Sequence, residues 1–161
     1  MANMIKVGMA DLNICHSPDA ITTLGLGSCV GIALYDKTTQ IAGLAHIMLP
    51  DSTKVRQNQN RAKFADTGID MLIQLLVKEG ARKQALTAKI AGGAQMFAFS
   101  SNNDMLRVGQ RNVEAVKAKL GSLGIRILAE DTGLNFGRTV EFYPETGDFV
   151  IKAVGKEVRT I

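Results

Sequence analysis

Tryptophan is absent from this chain, and aromatic residues make up only 5% of it. That removes the stacking platforms on which single-stranded nucleic-acid binders rely. Cysteine and histidine occur twice each, with no Cys-x-x-Cys pair, which is too few ligands in the wrong spacing for a metal centre. No apolar run approaches the ~18 residues that a membrane-spanning helix needs. Met1-Ala2-Asn3-Met4-Ile5-Lys6 has no basic start followed by an apolar run, so no signal peptide is visible. The expectation is a cytoplasmic protein with no direct membrane insertion, whose two thiols stay reduced. A reduced thiol is available as a nucleophile.

What is present suits one globular unit. The 161 residues are 46% hydrophobic and 21% charged, enough for one core, and a single domain over 1–161 is expected. Sixteen glycines against three prolines point to many tight turns. The formal charge is +4, and the densest basic stretch is Lys54, Arg56, Arg61 and Lys63, diluted by Gln57-Asn58-Gln59-Asn60. This reads first as a solvated loop, then as a surface for an acidic protein, and only last as a nucleic-acid site.

Taken in order, Ile5 to Leu12 reads as a strand with Gly8 as a bulge, and Cys15-His16-Ser17-Pro18-Asp19 as a turn. Ile21 to Leu24 is a short extended piece. Cys29 to Tyr35 and Gln40 to Leu49 form a hairpin about Asp36-Lys37-Thr38-Thr39. Phe64 to Glu79 and Asn112 to Leu123 are amphipathic helices, each followed by glycine. Leu86 to Ala91 and Ile125 to Ala129 are strands, Ser100 to Gly109 is a polar loop, and a final hairpin joins Thr139–Tyr143 to Phe149–Val154. Both faces of the central hairpin are apolar, so both need cover, which favours three layers in an α/β or α+β arrangement.

The chain is organised around Thr23-Leu24-Gly25-Leu26-Gly27-Ser28-Cys29-Val30. If Asp36 pairs with Thr39, paired residue numbers sum to 75, and Cys29 then lies opposite His46. Directly opposed residues share a face with Cβ atoms about 4.5–5.5 Å apart, whereas a slip of one residue would separate them. A thiol beside an imidazole is a nucleophile beside its base. Gly25 and Gly27 allow close approach of backbone, so amides near Ser28 and Cys29 can face an oxyanion, and Thr23 can orient the imidazole.

Blander accounts compete with this one. A cysteine on an apolar strand is usually a small core residue, and a histidine in the same run is usually a satisfied one. A dinucleotide fingerprint fails, because Val30 stands where a third glycine is needed and a strand follows instead of a helix. Asp-Thr-Gly at Asp66 and Asp131 resembles an aspartic protease only over three letters. Cys15 and His16, adjacent on a turn, read as a surface pair.

Thr23-Leu-Gly-Leu-Gly-Ser-Cys29-Val30 followed by Ala45-His46-Ile-Met-Leu-Pro-Asp-Ser52 resembles the chemoreceptor glutamine deamidase family, CheD. The likeness continues through Lys63–Asp66, Ala88–Phe97, Gly109-Gln-Arg-Asn112 and Ala129–Gly133. Leu134 departs from it, standing where the pattern has a second glycine before Asn135, which bears on the loop to Arg138. The resemblance implies a three-layer α/β/α sandwich with a mixed, largely antiparallel sheet, similar to the deamidase domain of cytotoxic necrotising factor toxins. It implies hydrolysis of glutamine side chains on methyl-accepting chemotaxis receptors, a protein-glutamine glutaminase activity that needs no cofactor. Cys29 would be the nucleophile, His46 the base and acid, and Thr23 the orienting group. It also implies binding to a CheC-type phosphatase of the phosphorylated response regulator. The alternative is a non-catalytic module that only binds and modulates that phosphatase.

Overall fold

Each helix forms where apolar residues recur every three or four positions and stops where glycine takes a left-handed conformation. In the computed structural model, which describes residues 2–96 and 107–161, α1 spans Ala65–Lys78. It buries Ala65, Ile69, Leu72, Ile73 and Leu76 along one face, with Asp66 in its first turn where the helix dipole favours a carboxylate. Gly80 (φ +112°) ends it: Gly80 N–H donates to Val77 and Ala81 N–H to Leu76, a Schellman closure. Helix α2 spans Val108–Ser122 and closes the same way at Gly124 (φ +70°), with Ile125 N–H donating to Leu120. It starts a turn earlier than the apolar spacing predicts, because Gly109 reads as a breaker in sequence. Here the missing side chain is what packing requires, since a Cβ on Gly109 would lie 2.4 Å from the Ala94 carbonyl oxygen. The expected polar loop at 100–109 falls outside the described residues except at 107–109, where Val108 and Gly109 already belong to α2.

Among the described residues, ten strands make two five-stranded mixed sheets. The first is β1(Met4–Val7), β3(Ala20–Leu26), β8(Arg138–Tyr143), β9(Asp148–Lys152) and β10(Arg159–Thr160), in that spatial order. The second is β2(Asp11–His16), β5(Ile41–Ile47), β4(Val30–Asp36), β6(Thr87–Gly92) and β7(Arg126–Thr132). Pairing is antiparallel except β1 with β3 and β6 with β7. The expected single strand at Ile5–Leu12 is two strands in different sheets. The chain changes sheet at Gly8–Ala10, where Ala10 has φ +56°.

Three layers are present, but their order differs from the expected α/β/α. One face of β4, with Val30, Ile32 and Leu34, packs under both helices. The other, with Ala33 and Tyr35, packs on the first sheet, whose Ile21, Leu26, Val140, Phe142 and Phe149 supply the cover expected from a second helical layer. The order is therefore sheet, sheet, helices. Strand β7, which the apolar run Ile125 to Ala129 would make a buried strand by sequence, is an edge strand with alternating exposure.

The central hairpin also differs in register. Asp36 pairs with Ile41 and Gly31 with His46, a sum of 77 rather than 75. The Asp36 carboxylate accepts N–H bonds from Thr38 (2.9 Å) and Thr39 (3.4 Å), and Gln40 turns through φ +54°. These contacts make the loop four residues long instead of two. A slip of two preserves the face of every side chain. Cys29, one residue before the ladder's first pair of Val30 with Ile47, keeps the parity of Gly31 and Ala33 and lies in the cluster between the sheets, on the side that His46 faces.

Candidate active site

His46 lies on the β5 face that carries Ala42 and Leu44 into the space between the sheets, and it is fully buried. Thr23 reaches it from β3, the facing sheet. The Thr23 hydroxyl donates to the Val7 carbonyl at 2.7 Å and lies 2.7 Å from His46 Nδ1. A carbonyl can only accept, so the single hydroxyl proton is committed to Val7, and the Thr23 oxygen accepts from Nδ1–H. This fixes the tautomer with a bare lone pair on Nε2. That atom is buried and has no hydrogen-bond partner among the described residues. Burial holds the His46 imidazole below its usual pKa, favouring the neutral form.

Cys29 immediately precedes β4 and is 7% exposed. Its loop leaves β3 through Gly25 (φ +73°), beside the pairing irregularity between Thr23 and Leu26. The loop is then tied down carbonyl by carbonyl. Gly27 C=O accepts from Ala94 N–H (2.9 Å) and Cys29 C=O from Gly93 N–H (2.8 Å). Ser28 C=O accepts from Asn112 Nδ2 (2.9 Å). The approach at β6 demands glycine: a Cβ on Gly92 (φ +111°) would sit 2.2 Å from the Cys29 carbonyl oxygen. Met96 Cγ closes over Gly27 at 3.3 Å from where a Cβ would be. The Ser28 N–H donates to no group among the described residues.

Burial pushes the Cys29 thiol above its usual pKa, with its own backbone N–H pulling the other way. Both partners are thus biased toward neutral forms. The arrangement suits a thiol that gives up its proton during attack, rather than a standing thiolate–imidazolium pair.

Of the residues singled out from sequence, Thr23 and His46 are in contact, Cys29 lies in the same space between the sheets, and Gly25, Gly27 and Ser28 form its loop. Cys15 and His16 are not a surface pair. Cys15 is buried, with its thiol pushed up to about 12, while His16 bonds Glu79 on the outside at 3.1 Å. Neither Asp-Thr-Gly aspartate is free: Asp66 accepts from Ser52 N–H and Oγ–H, and Asp131 bonds Arg138 and Arg159. Leu134 takes φ +60°, the conformation a glycine adopts at no cost, and its carbonyl accepts from Gln95 N–H. The loop there is held by Arg138 N–H bonds to the Gly133 and Phe136 carbonyls. No group of three or more metal-ligating side chains occurs among the described residues. A cavity of about 390 Å³ lies nearby between Leu134, Gln95 and α2 residues Val113, Glu114 and Lys117, sharing Gly93 with the site. Sequence reasoning assigns no role to Asn112, whose only signal is its place in Gly109-Gln-Arg-Asn112.

Comparison with known proteins identifies the family of the chain. A family model described as "CheD chemotactic sensory transduction" matches residues 48–153. "Probable chemoreceptor glutamine deamidase CheD" of Lachnoclostridium phytofermentans is 66% identical over 161 residues, covering 100% of both chains. "Chemoreceptor glutamine deamidase CheD" of Halalkalibacterium halodurans is 58% identical, covering 96% of both, and that of Bacillus subtilis is 51% identical, covering 99% of this chain and 97% of its own. Among solved structures, a Bacillus licheniformis hypothetical protein, YfiH, is 16% identical over 72% of this chain and 47% of its own, with a TM-score of 0.44. The family match starts after His46, but the full-length relatives span Thr23, Cys29 and His46 as well. The chain belongs to the CheD family of chemotactic sensory transduction proteins.

Proposed function

We propose that this protein hydrolyses glutamine side chains of methyl-accepting chemotaxis receptors to glutamate, with Cys29 as nucleophile, His46 as base and acid, and Thr23 as the orienting group. The reading is supported most by one observation: the Thr23–His46 bond leaves Nε2 as a buried acceptor, unpartnered among the described residues, facing the space between the sheets where Cys29 lies. The relatives carrying the name of chemoreceptor glutamine deamidase along their full length supply the substrate. The expected structural counterpart, the cytotoxic necrotising factor deamidase domain, belongs to the same proposal, as does a cytoplasmic location.

The chemistry runs in two halves. His46 Nε2 takes the thiol proton as Cys29 sulfur bonds to the side-chain amide carbon. Negative charge moves to the amide oxygen, where the Ser28 and Cys29 N–H groups are the nearest donors in the loop. The imidazolium returns its proton to the amide nitrogen, ammonia leaves, and a thioester remains. Water, deprotonated by His46, then attacks the thioester, and Cys29 departs with that proton. The sum is glutamine plus water giving glutamate plus ammonia. Each event changes the receptor by about one negative charge, an electrostatic bias on signalling.

Binding to a CheC-type phosphatase is part of the same proposal. The two activities separate in one variant. Cys29→Ala should release no ammonia from a receptor cytoplasmic fragment, and mass spectrometry should find no ~+1 Da shifts at its glutamines. Phosphatase binding should persist. Retained deamidation would remove Cys29 from the nucleophile's role.

A further inference from the structure

We infer that Asn112 is a positioning residue that locks the nucleophile arm to the base arm and aims the oxyanion donors. This rests on the assignment of Cys29 and His46 above. Asn112 is fully buried in the first half of α2, on the face turned toward the sheets. Its Nδ2 donates to two carbonyls, Ser28 (2.9 Å) and Met48 (2.9 Å). Both partners are acceptors, so the orientation of the amide is not in question: the NH₂ group faces them. One carbonyl belongs to the residue before Cys29 and the other to the second residue after His46. No other side chain among the described residues donates to both arms.

The consequence follows from peptide planarity. The Ser28 carbonyl and the Cys29 N–H belong to one rigid unit and point in opposite directions. Holding the carbonyl against Asn112 therefore turns the Cys29 N–H away from α2. The Gly93 N–H holds the next peptide through the Cys29 carbonyl. Between them these bonds set the orientation of both peptides flanking the sulfur. The clamp on Met48 does the same for the strand end that carries the base.

An apolar side chain of similar bulk would leave the Ser28 and Met48 carbonyls without the donor they have here, and Asn112 Oδ1, buried with no partner among the described residues, adds a cost to keeping the amide. The polar residue is therefore tolerated for its two donors rather than for its bulk.

The test uses Asn112→Leu, similar in volume but without donors, beside Val116→Ala, a core truncation on the same helix at a side chain that has no donor for either arm. With a receptor cytoplasmic fragment as substrate, Asn112→Leu should lower kcat by about 10- to 100-fold with KM within about threefold, as misplaced transition-state donors predict. Val116→Ala should lower the melting temperature and leave kcat within about threefold. A folded Asn112→Leu protein with kcat within threefold of wild type, or one that changes KM alone, overturns the inference. If Asn112→Leu does not fold, the wild-type protein decides. The Asn112 side-chain amide protons should exchange slowly and shift when Cys29 is alkylated; exchange at the solvent rate overturns the clamp. Cys29→Ala run in parallel separates the two levels. An inactive Cys29→Ala with a fully active Asn112→Leu defeats this inference alone, whereas an active Cys29→Ala defeats the nucleophile assignment and this inference with it.

Discussion

The molecule holds two cysteine–histidine neighbourhoods of opposite design. Cys15 and His16 are adjacent in sequence on β2, and successive side chains on a strand leave by opposite faces. Cys15 therefore enters the core between the sheets and His16 meets Glu79 on the outside. Cys29 and His46 are 17 positions apart, yet strand pairing sets them on one face. Adjacency in the chain separates the first pair, and register unites the second. Each thiol is pushed upward by burial and both lie between the sheets, but Cys15 stands opposite Ala42, four residues along β5 from His46, whereas Cys29 precedes the strand whose Gly31 pairs with His46 and has glycines crowding its backbone.

Exchanging the nucleophile for alanine should sharpen this contrast most. Cys29→Ala is expected to lose at least about 10³-fold in ammonia release, and His46→Ala about 10²- to 10⁴-fold. Cys15→Ala should keep turnover within twofold and lose only about 1 kcal/mol in denaturant unfolding. A Cys15→Ala protein as inactive as Cys29→Ala would dissolve the distinction.

Thr23 offers the next largest effect. Thr23→Val keeps the shape but frees Nδ1, so the imidazole can hold its proton on either nitrogen. We expect kcat to fall about 10- to 100-fold and stability by about 1–3 kcal/mol, because the Val7 carbonyl loses its donor. Thr23→Ser restores the hydroxyl and should restore most of both. Unchanged kcat in Thr23→Val would reduce the Thr23 hydroxyl to a strut for β1.

The pH dependence follows from burial of His46. Its folded pKa is depressed, so the unfolded chain binds the extra proton more readily than the folded one. Stability from this group is fully present above the unfolded value of about 6.5 and is lost as pH falls through the folded value. Turnover needs neutral Nε2, so the acid limb of kcat/KM, which reports the free protein, should lie below the ordinary imidazole value. His46→Ala should lose this part of the acid destabilisation in unfolding titrations. An acid limb above 6.5 would mean that another group sets it.

How much of this was legible in sequence depended on whether a feature was local. Helix α1 follows from five apolar residues at helical spacing and the glycine after them. The central hairpin follows from two apolar runs around a polar turn. Its register does not, because the slip of two comes from the Asp36 carboxylate binding two N–H groups inside the loop. The shared face of Cys29 and His46 survives that error, since parity alone decides it. The contact of Thr23 with His46 lies beyond any hairpin count, because β3 belongs to the other sheet. The second sheet itself was hidden because its strands carry no mark of which sheet they join, and the switch at Gly8–Ala10 looks like a bulge. Asn112 was hidden for a related reason: a polar residue on an amphipathic helix reads as solvent-facing until the two carbonyls above it are known.

The smallest expected effect falls on His16, and it tests the comparison from its quiet side. The His16–Glu79 pair is half exposed on both partners, so solvent screens it. An ion pair of that kind contributes less than about 1 kcal/mol, and only while the imidazole is protonated. His16 points away from the core that Cys15 enters, so removing its ring alters neither the Thr23 bond nor the Cys29 loop. His16→Ala should therefore leave kcat and KM within error at every pH, and the acid limb of kcat/KM should not move. A shifted limb would mean that His16, not His46, sets the protonation step. Proximity along the chain would then have outweighed strand register, and the division between the two neighbourhoods would fail.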